Sequence, residues 1–203
     1  MASLDELKDR IRKEASDNPE KFFATEVLKE KGFERSRCPN CGVYFWSSDI
    51  EREVCGEPDC GDGYTFINDS PTDKQFSYVE SWQKFRSFME DRGYASIDRY
   101  PVIARWRDDT EFTQASIYNF QPHVVSGEAE PPAEELIVPQ PSLRFNDIDN
   151  VGITGRHYTN FTMIGQLAFK TEKYDQDRYF RDMFDFAVDI LGIPEKKLVL
   201  HED

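Results

Sequence analysis

The sequence predicts an α+β fold in which helices flank a sheet, with a small four-cysteine module near the N-terminus. Three observations support this. Segments with helical spacing stand near both ends of the chain and at residues 75–92, extended segments occur between residues 96 and 169, and all four cysteines fall within residues 38–60. The 203 residues, 38% hydrophobic and 14% aromatic, are enough for one sizeable core and an appended module.

The charge balance limits the partners that the protein can have. Asp and Glu number 39 against 25 Lys and Arg, and the formal net charge of -14 is spread along the chain. Such a diffuse acidic surface keeps a protein hydrated, and it occurs both in halophilic proteins and in ordinary acidic cytosolic ones. Non-specific nucleic-acid binding is disfavoured, so any contact with a polyanion must be local and shaped.

The sequence contains no signal for a membrane or for secretion. No apolar run approaches the roughly eighteen residues of a membrane span. The first ten residues, MASLDELKDR, lack the apolar core of a signal peptide. We therefore expect a cytoplasmic protein with no membrane partner.

Two amphipathic helices are predicted at the N-terminus. The segments SLDELKDRIRKEA and NPEKFFATEVLKEKG occupy residues 3–15 and 18–32. In the second, Asn18 is the expected N-cap and Pro19 the first helical residue, with Gly32 as the stop.

Two further helices are predicted around the extended segments. One spans residues 75–92 and ends at Gly93, and the other spans residues 174–192 and ends at Gly192. We expect both to back an antiparallel sheet formed by the segments between them.

The four cysteines form two pairs. Within CPNCGVYFWSSDIEREVCGEPDC, Cys38 and Cys41 are spaced C-x2-C, and Cys55 and Cys60 are spaced C-x4-C. Two thiolate pairs near Gly-containing turns suit tetrahedral zinc, although the second spacing is looser than in an ideal knuckle. Two disulfides or four free thiols are the alternatives. Because no secretory signal is present, disulfides are disfavoured and we expect a structural Zn²⁺.

The stretch SLRFNDIDNVGITGRHYTNF, residues 142–161, predicts two antiparallel strands joined by a turn rich in Asn, Asp and Gly. Arg144 would end the first strand, and Arg156 and His157 would begin the second, so the three can converge. A guanidinium group suits phosphate because its planar fork binds two oxygens at once. Phe161 offers a flat ring on which adenine can stack. The alternative is a solvent-exposed hairpin with two surface arginines.

Several stretches resemble the N-terminal part of archaeal-type alanine–tRNA ligases, which are class II aminoacyl-tRNA synthetases. They are RYPVIARWRDDTEFTQASIYNFQP, VVSGEAEPPA, PQPSLRFNDIDNVGITGRHYTNFTM and the four-cysteine run, in the family's order. The resemblance implies a class II antiparallel sheet flanked by helices, with a zinc-ribbon-like module. The implied segments are N-terminal helices at 1–34, the zinc-ribbon-like module at 35–70, and the N-terminal half of the catalytic core at 71–203.

The resemblance also implies roles for the hairpin. It corresponds to class II motif 2, which binds ATP, so Arg144 is expected to be catalytic and to contact the ATP phosphates. Arg156 and His157 would be neighbours in the ATP site, and Phe161 would stack on adenine. The implied reaction attaches alanine to its tRNA through alanyl-adenylate. The implied ligands are ATP with Mg²⁺, alanine and the acceptor end of alanine tRNA.

Some features depart from the family pattern. Thr162 stands where the family has Glu, and the continuation IGQLAFK differs from the usual one. Arg105 and Arg107 are expected to be structural. Motif 3 is missing from the sequence, so we expect a fragment or one part of a split enzyme, inactive alone and completed by a second polypeptide. A non-catalytic synthetase-like paralogue that acts as a nucleotide-binding or interaction module is the alternative.

Overall fold

The computed structural model describes residues 3–57, 59–61, 70–146, 148–153, 157–169 and 174–202. The chain divides into two compact units, residues 1–74 with 175–203 and residues 75–174. The described residues form four α-helices, α1 Leu4–Asp17, α2 Thr25–Glu30, α3 Tyr78–Glu90 and α4 Gln176–Asp185. They form six strands, β1 Glu34–Arg37, β2 Tyr44–Ser47, β3 Ala95–Ser96, β4 Glu135–Leu143, β5 Asn160–Ala168 and β6 Val199–His201. The three-segment division of the sequence remains a prediction.

The first predicted helix forms, and the second forms only in part. Residues 18–32 contain a 3₁₀ turn, Pro19–Lys21, followed by the short helix α2, so a continuous helix over this range is wrong. Asn18 provides no side-chain cap to the turn, because its backbone N–H and its side-chain amide both donate to the Glu14 carbonyl oxygen at the end of α1. Gly32 lies at φ +79°, as expected for a helix stop. None of the described helices is long and apolar enough to cross a membrane.

The first unit contains an antiparallel sheet in the order β1-β2-β6. Its apolar core joins α2, β2 and α4 through Leu28, Trp46 and Phe184, which are all buried. Phe33 packs edge-on against Phe184, with the ring centroids 5.9 Å apart. The last helix therefore belongs to this unit, and it continues into a π-helical turn, Phe186–Ile190. It was expected to back the sheet of the catalytic core, so that part of the prediction is wrong.

The second unit contains a sheet in the order β3-β4-β5. The nine-residue strands β4 and β5 pair antiparallel along their whole length, as predicted, with Ser142 opposite Phe161. The two-residue strand β3 adds a parallel edge that the sequence does not reveal. Helix α3 starts with a capping box between Ser77 and Glu80, and it buries apolar side chains of its inner face.

A buried glutamine compensates for two prolines in β4. Pro139 and Pro141 have no N–H to donate, yet this strand is central in the sheet. Between them the fully buried Gln140 side chain accepts from the Tyr100 N–H at 2.9 Å and donates to the Tyr100 carbonyl at 3.1 Å. Its oxygen also accepts from the Asn119 side chain at 2.9 Å. These hydrogen bonds fix the segment near residue 100 against β4.

The fold makes Gly165→Ala a test of packing in the second unit. Gly165 is buried opposite Val138, and a methyl group there would lie 2.8 Å from Cβ of the buried Ser116. Overpacking should therefore lower the free energy of unfolding by about 1–3 kcal/mol, measured by urea denaturation. Gly61→Ala is the control, because its methyl group would meet its nearest neighbour at 3.9 Å. A destabilisation of the control equal to that of Gly165→Ala would contradict this packing.

Candidate functional site

Arg144 and Phe161 come together at one end of the β4–β5 hairpin. The Arg144 N–H donates to the Thr159 carbonyl at 3.0 Å, which continues the strand pairing one residue beyond Leu143. Phe161 is thus the diagonal neighbour of Arg144, and side chains two residues apart along a strand share a face. The Arg144 guanidinium carbon lies 5.2 Å from the centroid of the Phe161 ring. This is cation–π distance, so a charged group and an aromatic face lie side by side.

A third segment holds the Arg144 side chain in place. Thr113 is fully buried, and its carbonyl oxygen accepts from the Leu143 N–H at 2.9 Å. The next carbonyl, of Gln114, accepts from Arg144 Nε at 2.9 Å. Among the described residues, the two terminal amino groups of Arg144 have no hydrogen-bond partner. In the described part of the chain, the guanidinium is therefore oriented by one hydrogen bond, and its fork has the geometry that binds an anion.

The sequence did not single out Gln114 or the neighbouring aromatic pair. Phe145 follows Arg144, and its ring lies edge-on to Phe112 with the centroids 5.9 Å apart. The two segments are some thirty residues apart in sequence. The only available signal was the extended pattern of FTQAS, which predicts a strand-like segment but does not say what it lies against.

The two other predicted site residues are less defined. His157 is half-buried and lies three residues before the start of β5, the strand that carries Phe161. Arg156 lies outside the described residues. Convergence of Arg144 with these two residues therefore stays a prediction.

Thr162 has a structural partner. Its hydroxyl shares a hydrogen bond with the hydroxyl of Tyr78, the first residue of α3. Successive residues of a strand point to opposite faces, so Thr162 faces away from the side that carries Phe161 and Arg144. The substitution at this position leaves the contact between Arg144 and Phe161 in place.

Arg107 makes the structural contacts that were expected of it. Its guanidinium forms a two-pronged ion pair with Asp109, at 2.8 and 2.6 Å, and a further hydrogen bond to Gln121 at 2.8 Å. Hydrogen bonding to Arg107 lowers the pKa of Asp109. An open cavity of about 700 Å³ lies beside this pair, lined by residues 103–105 and 107–112. The lining includes three carboxylates, one of them paired, so this cavity is poorly suited to a polyanion.

The four cysteines form a compact cluster in the first unit. Cys38 and Cys41 lie in the turn between β1 and β2, where the Cys38 N–H donates to the Val43 carbonyl and the Cys38 carbonyl accepts from the Gly42 N–H. All four sulfur atoms lie within 4.8 Å of one another, and no disulfide is present among them. The Cys41 and Cys55 sulfurs are 3.8 Å apart. Tetrahedral zinc with bonds of about 2.3 Å has sulfur–sulfur edges of about 3.8 Å, so this donor set fits the ion.

The thiols of the cluster differ in their acidity. The backbone N–H groups of Cys41 and Cys55 donate to the Cys38 sulfur and lower the pKa of that thiol to about 6. Burial raises the pKa of the Cys55 thiol. Hydrogen bonding with the Cys41 sulfur, followed by burial, raises the pKa of the Cys60 thiol. The Cys38 thiolate is therefore favoured, and a nearby cation would favour ionisation of Cys55 and Cys60.

Polar groups around the cluster fix its loops. The Asn40 side chain donates to the Cys60 carbonyl at 2.6 Å, which ties the first cysteine pair to the second. The His201 ring Nε2 lies 2.8 Å from the Cys55 carbonyl oxygen and links β6 to the same loop. No sequence pattern indicated a role for His201, because this contact spans 146 residues.

Comparison with known proteins identifies the family. Residues 80–203 match the family described as tRNA synthetases class II (A). The alanine–tRNA ligase of Methanocella arvoryzae is 44% identical over 201 residues, 98% of this chain and 23% of that protein. The alanine–tRNA ligase of Methanopyrus kandleri is 47% identical over 186 residues, 89% of this chain and 20% of that protein.

A relative from another archaeal genus gives the same result. The alanine–tRNA ligase of Halorubrum lacusprofundi is 50% identical over 159 residues, 77% of this chain and 17% of that protein. This chain thus spans about a fifth of the length of the curated relatives that it matches. The resemblance to archaeal-type alanine–tRNA ligases is confirmed, and the chain belongs to the class II (A) tRNA synthetase family.

Proposed function

We propose that this chain supplies the ATP-binding half of an alanine–tRNA ligase active site, with the β4–β5 hairpin as class II motif 2. The observation that carries the proposal is the contact between Arg144 and Phe161, a guanidinium beside an aromatic ring at one end of the hairpin. A nucleoside triphosphate needs both groups together, because its phosphates are anionic and its base is flat.

The reaction needs no nucleophile from the protein. An oxygen of the alanine carboxylate attacks the α-phosphorus of ATP, the bond to the β-phosphate breaks, and pyrophosphate leaves. A ribose hydroxyl of the terminal adenosine of the tRNA then attacks the alanyl carbonyl, and AMP leaves. Orientation of the reactants and stabilisation of charge on the phosphate carry the catalysis. Arg144 supplies positive charge at the α-phosphate, and ATP enters as its Mg²⁺ complex.

ATP binding requires a rearrangement of the Arg144 side chain. Its guanidinium lies against the Phe161 ring, where adenine would also stack. When the phosphates draw the guanidinium away, the ring face becomes available to the base. The bond from Nε to the Gln114 carbonyl limits how far the group moves. His157 and Arg156 belong to the same proposed site as further positive or polar groups near the phosphates.

The remaining parts of the active site come from elsewhere in this proposal. Alanine recognition, the tRNA acceptor end and motif 3 are assigned to sequence beyond these 203 residues, on a longer chain or a second polypeptide. We therefore propose that the chain is inactive alone. We also propose that it acts in the cytoplasm. A non-catalytic paralogue that only binds nucleotide is the second candidate, and Thr162 in place of the family's Glu favours it.

A structural zinc ion is the second part of the proposal. Cys38, Cys41, Cys55 and Cys60 would hold it as four thiolates, which leaves no open position for catalysis. The ion would cross-link the β1–β2 turn to the following loop and so stabilise a segment too small to fold on its own core. The compact sulfur cluster supports this assignment.

Removing either group of the Arg144–Phe161 pair should change ATP binding in a distinct way. We expect Arg144→Ala to weaken ATP binding about ten- to a hundredfold, the cost of one charged partner of a phosphate. Phe161→Ala should weaken ATP binding while leaving pyrophosphate binding nearly unchanged, because stacking acts on the base alone. Isothermal titration of the 203-residue chain with each ligand measures both effects.

The matched control for Arg144→Ala is Arg86→Ala. Arg86 carries the same charge in the same unit, but it is exposed on α3, and among the described residues it pairs with Glu90 four positions on. Its removal should leave ATP binding unchanged. Equal weakening of ATP and pyrophosphate binding by Phe161→Ala would rule out the stacking role. Absence of ATP binding by the wild-type chain would rule out the ATP site.

Metal analysis tests the cysteine cluster. We expect about one zinc ion per purified chain, no bound zinc in Cys38→Ser or in Cys60→Ser, and a lower thermal midpoint after chelation. Ser36→Ala, in the same hairpin but outside the cluster, should keep both the zinc and the midpoint. Metal-free protein with an unchanged midpoint after chelation would contradict the assignment.

Pyrophosphate exchange separates the enzyme from the paralogue. The chain alone should not exchange labelled pyrophosphate into ATP in the presence of alanine. Addition of the remainder of an archaeal alanine–tRNA ligase as a second polypeptide should restore exchange, and Arg144→Ala should abolish that restoration. ATP binding without exchange under the second condition would favour the non-catalytic module.

A further inference from the structure

A second candidate binding region lies in the first unit, whereas the residues proposed for ATP belong to the second. Helix α1 and the β1–β2 hairpin border an open cleft of about 720 Å³. Its lining includes basic side chains from two different elements, Arg12 and Lys13 on α1 and Arg37 at the end of β1. A concentration of positive charge is unexpected in a chain whose net charge is -14.

Among the described residues that line the cleft the net charge is positive, because the one carboxylate is already paired with an arginine. Glu202 lines the cleft, but its carboxylate accepts two hydrogen bonds from Arg35, at 2.7 and 2.5 Å. The Trp46 ring N–H donates a third bond to it at 2.7 Å. In contrast, Arg12 and Lys13 form no ion pair with any of the described residues. Within the described lining of the cleft, no carboxylate is thus paired with these two cations.

Arg37 is held in position by the turn that carries the first cysteine pair. Its Nε donates to the Gly42 carbonyl at 3.0 Å, and Gly42 adopts φ +79°, a conformation that favours glycine. The guanidinium carbon lies 5.7 Å from the centroid of the Tyr44 ring. The terminal amino groups of Arg37 make no hydrogen bond to the described residues. Their donors are available to an anion.

Aromatic side chains accompany these cations. Tyr44 lines the cleft from β2, and Phe22 and Phe23 line it from the segment between α1 and α2. All three rings are half-buried, so each keeps some exposed surface. Cations that track a phosphate backbone, combined with rings on which bases stack, are typical of surfaces that bind single-stranded nucleic acid.

We infer that this cleft binds an unpaired RNA strand, with phosphates at Arg12, Lys13 and Arg37 and bases against the aromatic rings. Paired bases cannot offer their faces to these rings, so a duplex fits the chemistry less well. The cations stand on separate elements, which suits several phosphates in succession better than the one group of a mononucleotide. The inference depends on the chemistry of this cleft and is independent of the ATP site.

The test compares two double variants of the same helix. Arg12→Ala/Lys13→Ala removes the two cations that line the cleft, and Lys8→Ala/Arg10→Ala removes the same charge from exposed positions of α1 outside the lining. Binding of a fluorescein-labelled oligouridylate to the 203-residue chain is measured by anisotropy between about 50 and 200 mM salt. Circular dichroism checks that each variant keeps its helix content.

We expect the cleft variant to bind the oligouridylate about tenfold more weakly than the wild type. The slope of log affinity against log salt should become shallower by about 0.7 for each phosphate that the variant no longer neutralises. The Lys8→Ala/Arg10→Ala control and Arg144→Ala should both retain wild-type affinity for the oligouridylate. Failure of the RNA site can then be distinguished from failure of the ATP site.

Several results would overturn the inference. Equal weakening by the two double variants would show a general charge effect and no site. Absence of oligouridylate binding by the wild-type chain would remove the site altogether. Inorganic polyphosphate that competes as well as the RNA would show that bases contribute nothing. Uridine monophosphate that binds as tightly as the oligomer would make the cleft a mononucleotide pocket.

Discussion

The register of β4 against β5 is the constraint on which the proposed active site depends. Side chains alternate between the two faces of a sheet, so a shift of one residue would move Phe161 to the opposite face from Arg144. Ser142 and Gln140 resist such a shift because both are buried in β4, with Gln140 bonded to Tyr100 on both of its polar atoms. The pairing therefore holds a cation and an aromatic ring together at the edge of an acidic protein.

Both proposed anion sites use positive groups that form no ion pair among the residues that the structure describes. Arg144 is bonded to a backbone carbonyl, as is Arg37, and neither forms an ion pair with a described residue. Arg107 differs from these two residues, because its guanidinium donates two hydrogen bonds to the Asp109 carboxylate. In a chain of this charge, a guanidinium bonded to neutral carbonyls keeps its charge for a ligand. The acidic surface elsewhere repels polyanions, so binding at the two proposed sites would be selective.

Local patterns predicted what depends on local chemistry. The turn residues around Asn150 and the alternating strands beside them were enough to predict the hairpin, and cysteine spacing was enough to predict the cluster, because few other arrangements suit those residue types. Asn18 stands at the predicted N-cap position of the 3₁₀ turn that begins at Pro19, but its side-chain amide donates to the Glu14 carbonyl oxygen of the preceding helix and makes no capping bond. The residue types of an N-cap were thus present without the capping hydrogen bond.

Contacts between distant segments could not be predicted from the sequence. Gln114 meets Arg144 across thirty residues, and the end of α2 meets α4 across about a hundred and fifty. No spacing or composition marks such pairs, because each partner satisfies only a general need for a hydrogen bond or an apolar neighbour. The family resemblance assigned ATP roles to the residues, but the structure was needed to find the carbonyl that orients Arg144.

The most direct measurement of the central claim is the set of nuclear Overhauser effects between bound ATP and the protein. In the chain saturated with ATP, the adenine protons should show contacts with the ring protons of Phe161, accompanied by a shift of the Arg144 side-chain resonance. Adenine contacts with the cavity at residues 103–112, or with Tyr44 in the first unit, without any to Phe161, would contradict the account.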